Sequence, residues 1–399
     1  MPGTLIKSKK FLGITIYNKY KSQENTSRVC LGGFFSEKIF YLNSLPYLCQ
    51  YFLLGLPLLS SQKTDQLHTT YSIFGGLLKW TINSEDKISA ILNSIFSKFS
   101  IKSIEGKKHI YVLSANSGEI ALFLSLFFER LLKKHGIANF DEFVVLCTKK
   151  YHQDMLKMYF PEVQSVVAKP KALRKITGYG DCVVKDWNIH VLFSGQYFHK
   201  YEMTLDEPTE RQHFLSWMKQ NLNMEYPKTP RTVLENLLKD HLTTAKSKLL
   251  ALNLDYSNLI IIADQSLSSR KADPRIFDEV ISQLRKKGYS IYLNEPNPKS
   301  PNFLTYPEVF ALAKEAKAII ALRSGLVDFL AATETPCIAL YTGFPNLGIK
   351  NPEKTPEEAM SLFSIAGLPY RSFYLAEIDI ETLPVNEVVE KIAVALETN

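Results

Sequence analysis

Ala318-Ile-Ile-Ala-Leu-Arg-Ser-Gly-Leu-Val-Asp328 is the stretch whose reading decides the fold. Five apolar residues run without alternation, a charged residue follows at once, and a Ser-Gly pair leads into a second apolar stretch. A short unbroken apolar run closed by a turn reads as a strand buried on both faces, and the residues beyond it as a helix packed on that strand. The same grammar extends in both directions. Downstream, Cys337-Ile-Ala-Leu-Tyr341 reads as the next strand. Upstream, Leu259-Ile-Ile-Ile-Ala263 is a strand, Asp264 to Asp273 a polar loop, and Pro274 to Lys287 a helix with proline in its first turn and Gly288 at its stop. Tyr289 to Leu293 is a strand, Pro307 to Lys317 a helix, Leu326 to Glu334 another, and 385–398 a closing amphipathic helix. Apolar strands alternating with helices imply a parallel sheet covered on both faces.

An earlier part of the chain repeats the pattern. A helical periodicity begins near Asp86. His109 to Leu113 is a strand, Ser114-Ala-Asn-Ser-Gly-Glu119 a polar turn, and Ile120 to Lys134 a helix with a basic last turn. Phe143 to Cys147, Ser165 to Ala168 and Ile189 to Phe193 read as strands, with Met155 to Phe160 as helix. Residues 205–250 are polar and helical, broken at Pro227 and Pro230, and a domain boundary is expected near 240–255. The expected fold class is therefore α/β, with two Rossmann-like domains facing a central cleft. The expected division is an N-terminal segment 1–85, one domain over 86–250, a second over 251–385 and a closing helix 386–399. A chain of 399 residues suits this, being long for one core and of common size for two.

Composition narrows the function classes. The formal charge of +7 allows an acidic partner such as a phosphate-bearing substrate or an anionic membrane face. Basic residues are dispersed, with no aromatic–basic module, so nucleic-acid binding is not expected. The five cysteines form no CxxC pair and the eight histidines show no HExxH spacing, which argues against a disulfide framework or a zinc site and for a reducing cytoplasm. No signal peptide is read, and the apolar run Tyr51 to Leu59 is too short to span a bilayer.

Residues 1–80 stand apart. Four apolar segments centre on glycine: Phe11-Leu-Gly-Ile-Thr-Ile16, Cys30-Leu-Gly-Gly-Phe-Phe35, Leu53-Leu-Gly-Leu-Pro-Leu58 and Ile73-Phe-Gly-Gly-Leu-Leu78. Their glycines are spaced by 19, 23 and 20 residues. Nine Lys/Arg against three Asp/Glu give this segment a charge of +6. Small turns presenting apolar side chains beside lysines suit an anionic membrane surface. Short strands packed on the main body are the plainer alternative.

Three strand ends carry residues suited to chemistry, because ligands of open parallel sheets bind beyond the carboxyl ends of the strands. Ser117-Gly118-Glu119 places a carboxylate at a helix start, where it either takes a proton from a hydroxyl or merely balances the helix dipole. Ser266-Leu-Ser-Ser269-Arg270-Lys271 offers hydroxyls and cations suited to a diphosphate, or is a solvated loop. Arg323-Ser324-Gly325-Leu326-Val-Asp328 aims backbone N–H groups and a fixed charge at an anion, or is a tight strand–helix turn.

Their order along the chain resembles the ADP-heptose lipopolysaccharide heptosyltransferase family, a GT-B-fold family of glycosyltransferases. In that family a strand ending in Asp-Ser/Thr-Gly-Leu precedes a His, a helix and Pro-x-x-Ala-Leu-Phe/Tyr-Gly. Here Arg323-Ser324-Gly325-Leu326 precedes Asp328 and Pro336-Cys-Ile-Ala-Leu-Tyr-Thr-Gly343. Ser117-Gly118-Glu119-Ile120 is similar to the family's Ser-x-Gly-Asp-Val, with Glu for the proposed Asp base. The resemblance covers most of 108–343 and departs from the family at Arg323, for its acidic residue, and at Asp328, for its His. It implies a metal-independent transfer of a sugar from a nucleotide-diphosphate donor to a hydroxyl of a bacterial envelope glycan such as lipopolysaccharide. The resemblance implies Glu119 as the catalytic base, and the charge of Arg323 itself, where the family has an acid, places it as the catalytic cation on the departing diphosphate. Donor contacts are implied at Ser117, Gly118, Ser269, Arg270, Lys271, Glu295, Ser324, Gly325, Leu326 and Asp328. No metal ligand and no cofactor beyond the donor sugar are expected. The expected place is the cytoplasm, at the inner face of the membrane, with a glycan or glycolipid acceptor as partner. A nucleotide-sugar epimerase on the same fold, or a non-catalytic nucleotide- or glycan-binding protein, is the alternative.

Overall fold

The structure is a computed structural model. It describes residues 4–398 except 12–13, 22–24, 31–34, 43–44, 55, 64–66, 74–77, 98–107, 114–115, 178–180, 186, 193–214, 226, 228, 267–268, 296, 345–352 and 371. The chain separates into two units, one of 1–114, 141–148 and 168–202, the other of 115–140, 149–167 and 203–399.

The first unit opens with eight antiparallel strands paired in chain order, from Thr4–Phe11 to Leu78–Asn83. The glycines of the sequence repeat, Gly13, Gly32, Gly33, Gly55, Gly75 and Gly76, lie outside the described residues. Between those glycines the chain runs as strands that pair with one another. Helix Glu85–Ser97 follows and buries Ile88, Leu92, Ile95 and Phe96, the one-sided stripe that a 3.6-residue period creates. In the second sheet of this unit, His109–Leu113 lies between Phe143–Cys147 and Trp187–Leu192 and is parallel to both. Strand Cys182–Val184 pairs antiparallel with Trp187–Leu192. Ile110 through Leu113 and Phe143 through Cys147 are fully buried, which is why those runs carry no polar alternation.

The second unit holds a five-stranded, wholly parallel sheet in the order Ser290–Leu293, Leu259–Ala263, Ala318–Leu322, Cys337–Tyr341, Tyr374–Asp379. This is the doubly wound 2-1-3-4-5 order. Helices Pro274–Lys286 and Val385–Glu397 cover one face through Ile276, Val280, Leu284, Val388 and Ile392, packed with Ile260, Ile262, Ile320 and Ile338. Local chemistry sets the helix ends. Asp273 caps Pro274–Lys286 by accepting from the Arg275 N–H at 3.0 Å, and Gly288 follows the helix at φ +83°. Thr305 and Glu308 form a reciprocal capping box on Tyr306–Ala313, with the Thr305 N–H donating to Glu308 at 2.7 Å.

The α/β class with two Rossmann-like sheets, the first carrying one antiparallel edge strand, is thus as expected, and several element bounds differ. The single helix expected over Ile120 to Lys134 is two, Ser117–Leu126 and Phe128–Lys134, broken at Phe127. The helix expected at Met155 starts earlier, as Lys150–Tyr159. The helix expected over Leu326 to Glu334 is Gly325–Leu330 with one further turn, stopped where Glu334 turns left-handed at φ +61°. Of 205–250, helices Leu215–Leu222 and Glu235–Ala251 lie among the described residues. Helix Pro170–Thr177 and strands Cys182–Val184 and Tyr374–Asp379 were not anticipated. Among the described residues no helix is long and apolar enough to cross a membrane.

Ile320, at the centre of the parallel sheet and fully buried, should cost about 2–5 kcal/mol when cut to alanine. Leu250→Ala, at a position 61% exposed, should stay within about 0.5 kcal/mol. Urea unfolding of the two variants measures the contrast.

Candidate active site at the converging helix starts

The 2-1-3-4-5 order reverses between Leu259–Ala263 and Ala318–Leu322, so the loops after those strands diverge there and leave room for a ligand. Residues 264–273 and the turn at Arg323 are those loops. They are joined directly: the Ser269 hydroxyl donates to the Arg323 carbonyl at 3.0 Å. The Arg270 N–H donates to the Gly343 carbonyl at 2.8 Å, and the Thr342 hydroxyl to the Arg270 carbonyl at 2.9 Å. Three consecutive strand ends are therefore tied into one rim.

Arg323 and Asp328 form the core of this rim. Each is 4% exposed. The guanidinium donates to both Asp328 oxygens, at 3.0 and 2.7 Å, and to the carbonyls of Ser324 and Phe363 at 2.7 and 2.8 Å. Two charges removed from water are tolerated only when paired and fully hydrogen-bonded, and this pair meets that condition. The role read from sequence for Arg323, a charge reaching the departing diphosphate, is corrected accordingly. Its donors are spent inside the protein, and it holds the turn. Asp328, read as a donor-facing residue, is likewise buried in the pair.

The start of helix Ser117–Leu126 packs against this turn at glycine distance. A Cβ on Gly118 would lie 2.9 Å from the Gly325 Cα and 2.5 Å from an Asp328 carboxylate oxygen. A Cβ on Gly325 would lie 2.7 Å from the Ser117 hydroxyl and 2.9 Å from the Gly118 nitrogen. Only glycine permits two backbones to meet this closely. Ser117 also hydrogen-bonds Tyr306, whose ring stacks on Tyr151 at 5.2 Å between centroids. Tyr151 and Tyr306 both stand in the first turn of their helices and were not singled out in the sequence. The helix starts that place them were read a few residues late at Met155 and one residue late at Pro307.

Glu119 sits beside this contact. Its Oε1 accepts from the Asn116 side-chain amide at 3.1 Å, while Oε2 is buried with no hydrogen-bond partner among the described residues. Burial pushes the Glu119 pKa up, with the Asn116 bond opposing; Asp328 raises it further and Arg323 lowers it. An unsatisfied carboxylate oxygen held in a proton-hungry state is what general-base chemistry requires.

The remaining sequence candidates divide. Ser269 is buried and bonded to Ser266 and Arg323. Arg270 is ion-paired to both Glu353 and Glu381, so it braces the loop over Gly343. Lys271 is exposed, with no hydrogen bond or ion pair among the described residues. Leu326 and Ser324 are half-buried on the turn. Glu295, after strand Ser290–Leu293, accepts from Asn302 at 2.9 Å, and hydrogen bonds from Ser300 and Asn302 lower its pKa. Asp264, missed in the sequence, has a buried, unpartnered Oδ1 and a pKa raised by burial and by Glu295. Its signal was there to read, as the first polar residue after an all-apolar strand. Among the described residues no group of three or more His, Cys, Asp or Glu side chains could hold a metal ion.

No protein-family model matches the chain, and no curated protein matches it. Solved structures similar to it include a glycosyl transferase family 9 protein from Veillonella parvula, 12% identical, covering 74% of this chain and 99% of that one at a TM-score of 0.47. Another is the Escherichia coli ADP-heptose lps heptosyltransferase II, 14% identical, covering 73% and 99% at 0.42. A third is the iron-containing dodecameric glycosyltransferase TibC of enterotoxigenic E. coli, 14% identical, covering 90% and 94% at 0.40. Likenesses of this size leave the activity to be read from the chain's own residues.

Two outcomes test the site. Gly118→Ala should cost about 1–3 kcal/mol or more, because the methyl meets backbone on one side and the buried ion pair on the other; thermal unfolding reads it. Glu119→Gln should be more stable than the parent at neutral pH. A folded-state pKa raised above the unfolded value leaves stability intact at low pH and removes it as pH rises through the folded pKa. The gap between parent and variant should therefore close as the medium is acidified below the ordinary carboxylate range.

Proposed function

We propose that the protein is a glycosyltransferase that moves a sugar from a nucleotide-diphosphate donor to a hydroxyl of an acceptor glycan, without a metal ion. The observation that carries this reading is the unpartnered Oε2 of Glu119, held at a helix start that packs through Gly118 and Gly325 on the rim of a doubly wound sheet.

In this mechanism Glu119 Oε2 accepts the proton of the acceptor hydroxyl, and the oxygen forms a bond to the anomeric carbon. The bond from that carbon to the donor's diphosphate breaks, and the electron pair leaves with the diphosphate. Lys271, exposed at the rim, supplies the positive charge that stabilises the leaving group. Arg323 acts one step removed, fixing Ser324 and Gly325 where the diphosphate lies, and Arg270 holds Lys271's loop in place. Glu295 and Asp264, at neighbouring strand ends, suit hydroxyls of the donor's ribose. The envelope-glycan acceptor, the domain division at 250/251 and the place at the inner membrane face are parts of the same proposal.

Thermal unfolding in the presence of ADP, GDP, UDP and CDP tests it. One diphosphate should raise the melting temperature, the shift should survive EDTA, and Lys271→Ala should weaken it. With the matching donor sugar, Glu119→Gln should retain the shift and lose about a hundredfold or more in turnover. A shift with none of the four would remove the nucleotide reading. A shift with unaltered turnover in Glu119→Gln would remove Glu119 as base.

A further inference from the structure

The meander topology gives the N-terminal glycine repeat a meaning that the sequence alone did not carry. When eight antiparallel strands pair in chain order, every second turn falls at the same end of the sheet. The glycine spacings of 19, 23 and 20 residues each correspond to two strands with their turns, so the described strand ends that flank the four glycine positions fall at one end. The cross-strand register shows it among described residues. The last pairs at that end are Phe11↔Ile14, Cys30↔Phe35, Leu53↔Leu56 and Ile73↔Leu78. At the other end they are Lys21↔Thr26, Leu42↔Leu45, Lys63↔Thr69 and His68↔Asn83. One end is apolar at every pair. The other is polar at all but one.

Three leucines of the apolar end lie in solvent. Leu54, Leu56 and Leu78 are 67%, 72% and 62% exposed. Leu54 moreover adopts φ +50°, a left-handed conformation that a leucine enters only at a cost and that folding alone would give to glycine or asparagine. Along the sequence, basic residues stand close to these pairs. Within three residues of an apolar pair stand Lys9, Lys10, Arg28, Lys38 and Lys79, against Glu37 alone, which is opposite Arg28 in the register. The segment's other two acids, Glu24 and Asp65, fall in the sequence between strands that turn at the polar end.

We propose that this end of the meander docks on an anionic lipid surface, with the leucine row entering the headgroup layer and the lysines meeting lipid phosphates. Neighbouring strands are about 4.8 Å apart, so the row is about 34 Å long, a line of contact rather than a pocket. Five basic residues to one acid also select the occupant. A second copy of the chain joined end to end would set like charge against like charge, whereas an anionic bilayer satisfies both the apolar row and the charge behind it. The proposal deepens the membrane-face part of the function proposed above and does not depend on catalysis.

Co-sedimentation of the full chain with vesicles tests it. The protein should bind mixed phosphatidylcholine–phosphatidylglycerol vesicles, bind pure phosphatidylcholine vesicles far less, and release as salt is raised. The triple variant Leu54→Asp, Leu56→Asp, Leu78→Asp should lose about tenfold or more in vesicle affinity with an unchanged melting temperature, since all three side chains are already in solvent. The diphosphate-induced thermal shift should also be unchanged, which separates this inference from the donor site. Absence of binding to the anionic vesicles, or equal binding by the triple variant, would overturn the proposal. Sedimentation velocity supplies a second reading: self-association of the parent that the triple variant abolishes would assign the row to a copy of the chain instead.

Discussion

The close approach of Gly118 to Gly325 is the constraint on which the rest of the site depends. It sets the start of helix Ser117–Leu126 against the Arg323 turn at a separation that no side chain would allow. The same contact brings Asp328 up to Gly118 while Asp328 is held by Arg323. A buried ion pair contributes little net stability, because attraction is offset by the loss of hydration. What it supplies here is position: four hydrogen bonds from one guanidinium fix Ser324, Phe363 and both oxygens of Asp328. Glu119, next to Gly118, inherits that rigidity and the desolvation that comes with it.

A second layer of order lies beneath. Ser269 bonds the Arg323 carbonyl, and Arg270 is clamped by Glu353 and Glu381 over Gly343. Most of the polar groups at the rim are therefore spent on holding the rim. Among the described residues of the rim, the polar groups without a protein partner are few: Lys271, the buried Oε2 of Glu119 and the buried Oδ1 of Asp264. Polar groups committed in this way hold the rim in one geometry before any ligand arrives.

Much of this was legible in the sequence, for a physical reason. Strands buried on both faces must be apolar throughout, so Leu259–Ala263, Ala318–Leu322 and Cys337–Tyr341 declared themselves. Arg323, a charged residue directly after such a strand, marked the rim. Less legible were elements whose sequence follows no single period. Tyr374–Asp379 pairs with one neighbour only and is mostly half-buried, so it carries Glu377 and Asp379 within the strand. Helix Lys150–Tyr159 opens on Lys-Tyr-His-Gln-Asp, with no aliphatic residue before Met155 and no side-chain cap, which hid its true start and with it Tyr151. Arg323 shows a different limit. Its type and place marked it as important, but whether a cation faces a ligand or a carboxylate five residues on is a matter of side-chain geometry. The N-terminal repeat was visible as a spacing, and only strand pairing in chain order turned that spacing into a single apolar end.

Glu119 is a carboxylate kept hungry for a proton by burial beside the glycine contact. Following Glu119 by pH titration of its side-chain carboxyl, with 13C-labelled glutamate and the Glu119→Gln protein to identify its signal, tests this most directly. The expected midpoint lies above the ordinary glutamate range and shifts downward when Gly118→Ala opens the packing and admits water. A midpoint at or below the ordinary range would contradict it, and Glu119 would then be a helix-start carboxylate and no more.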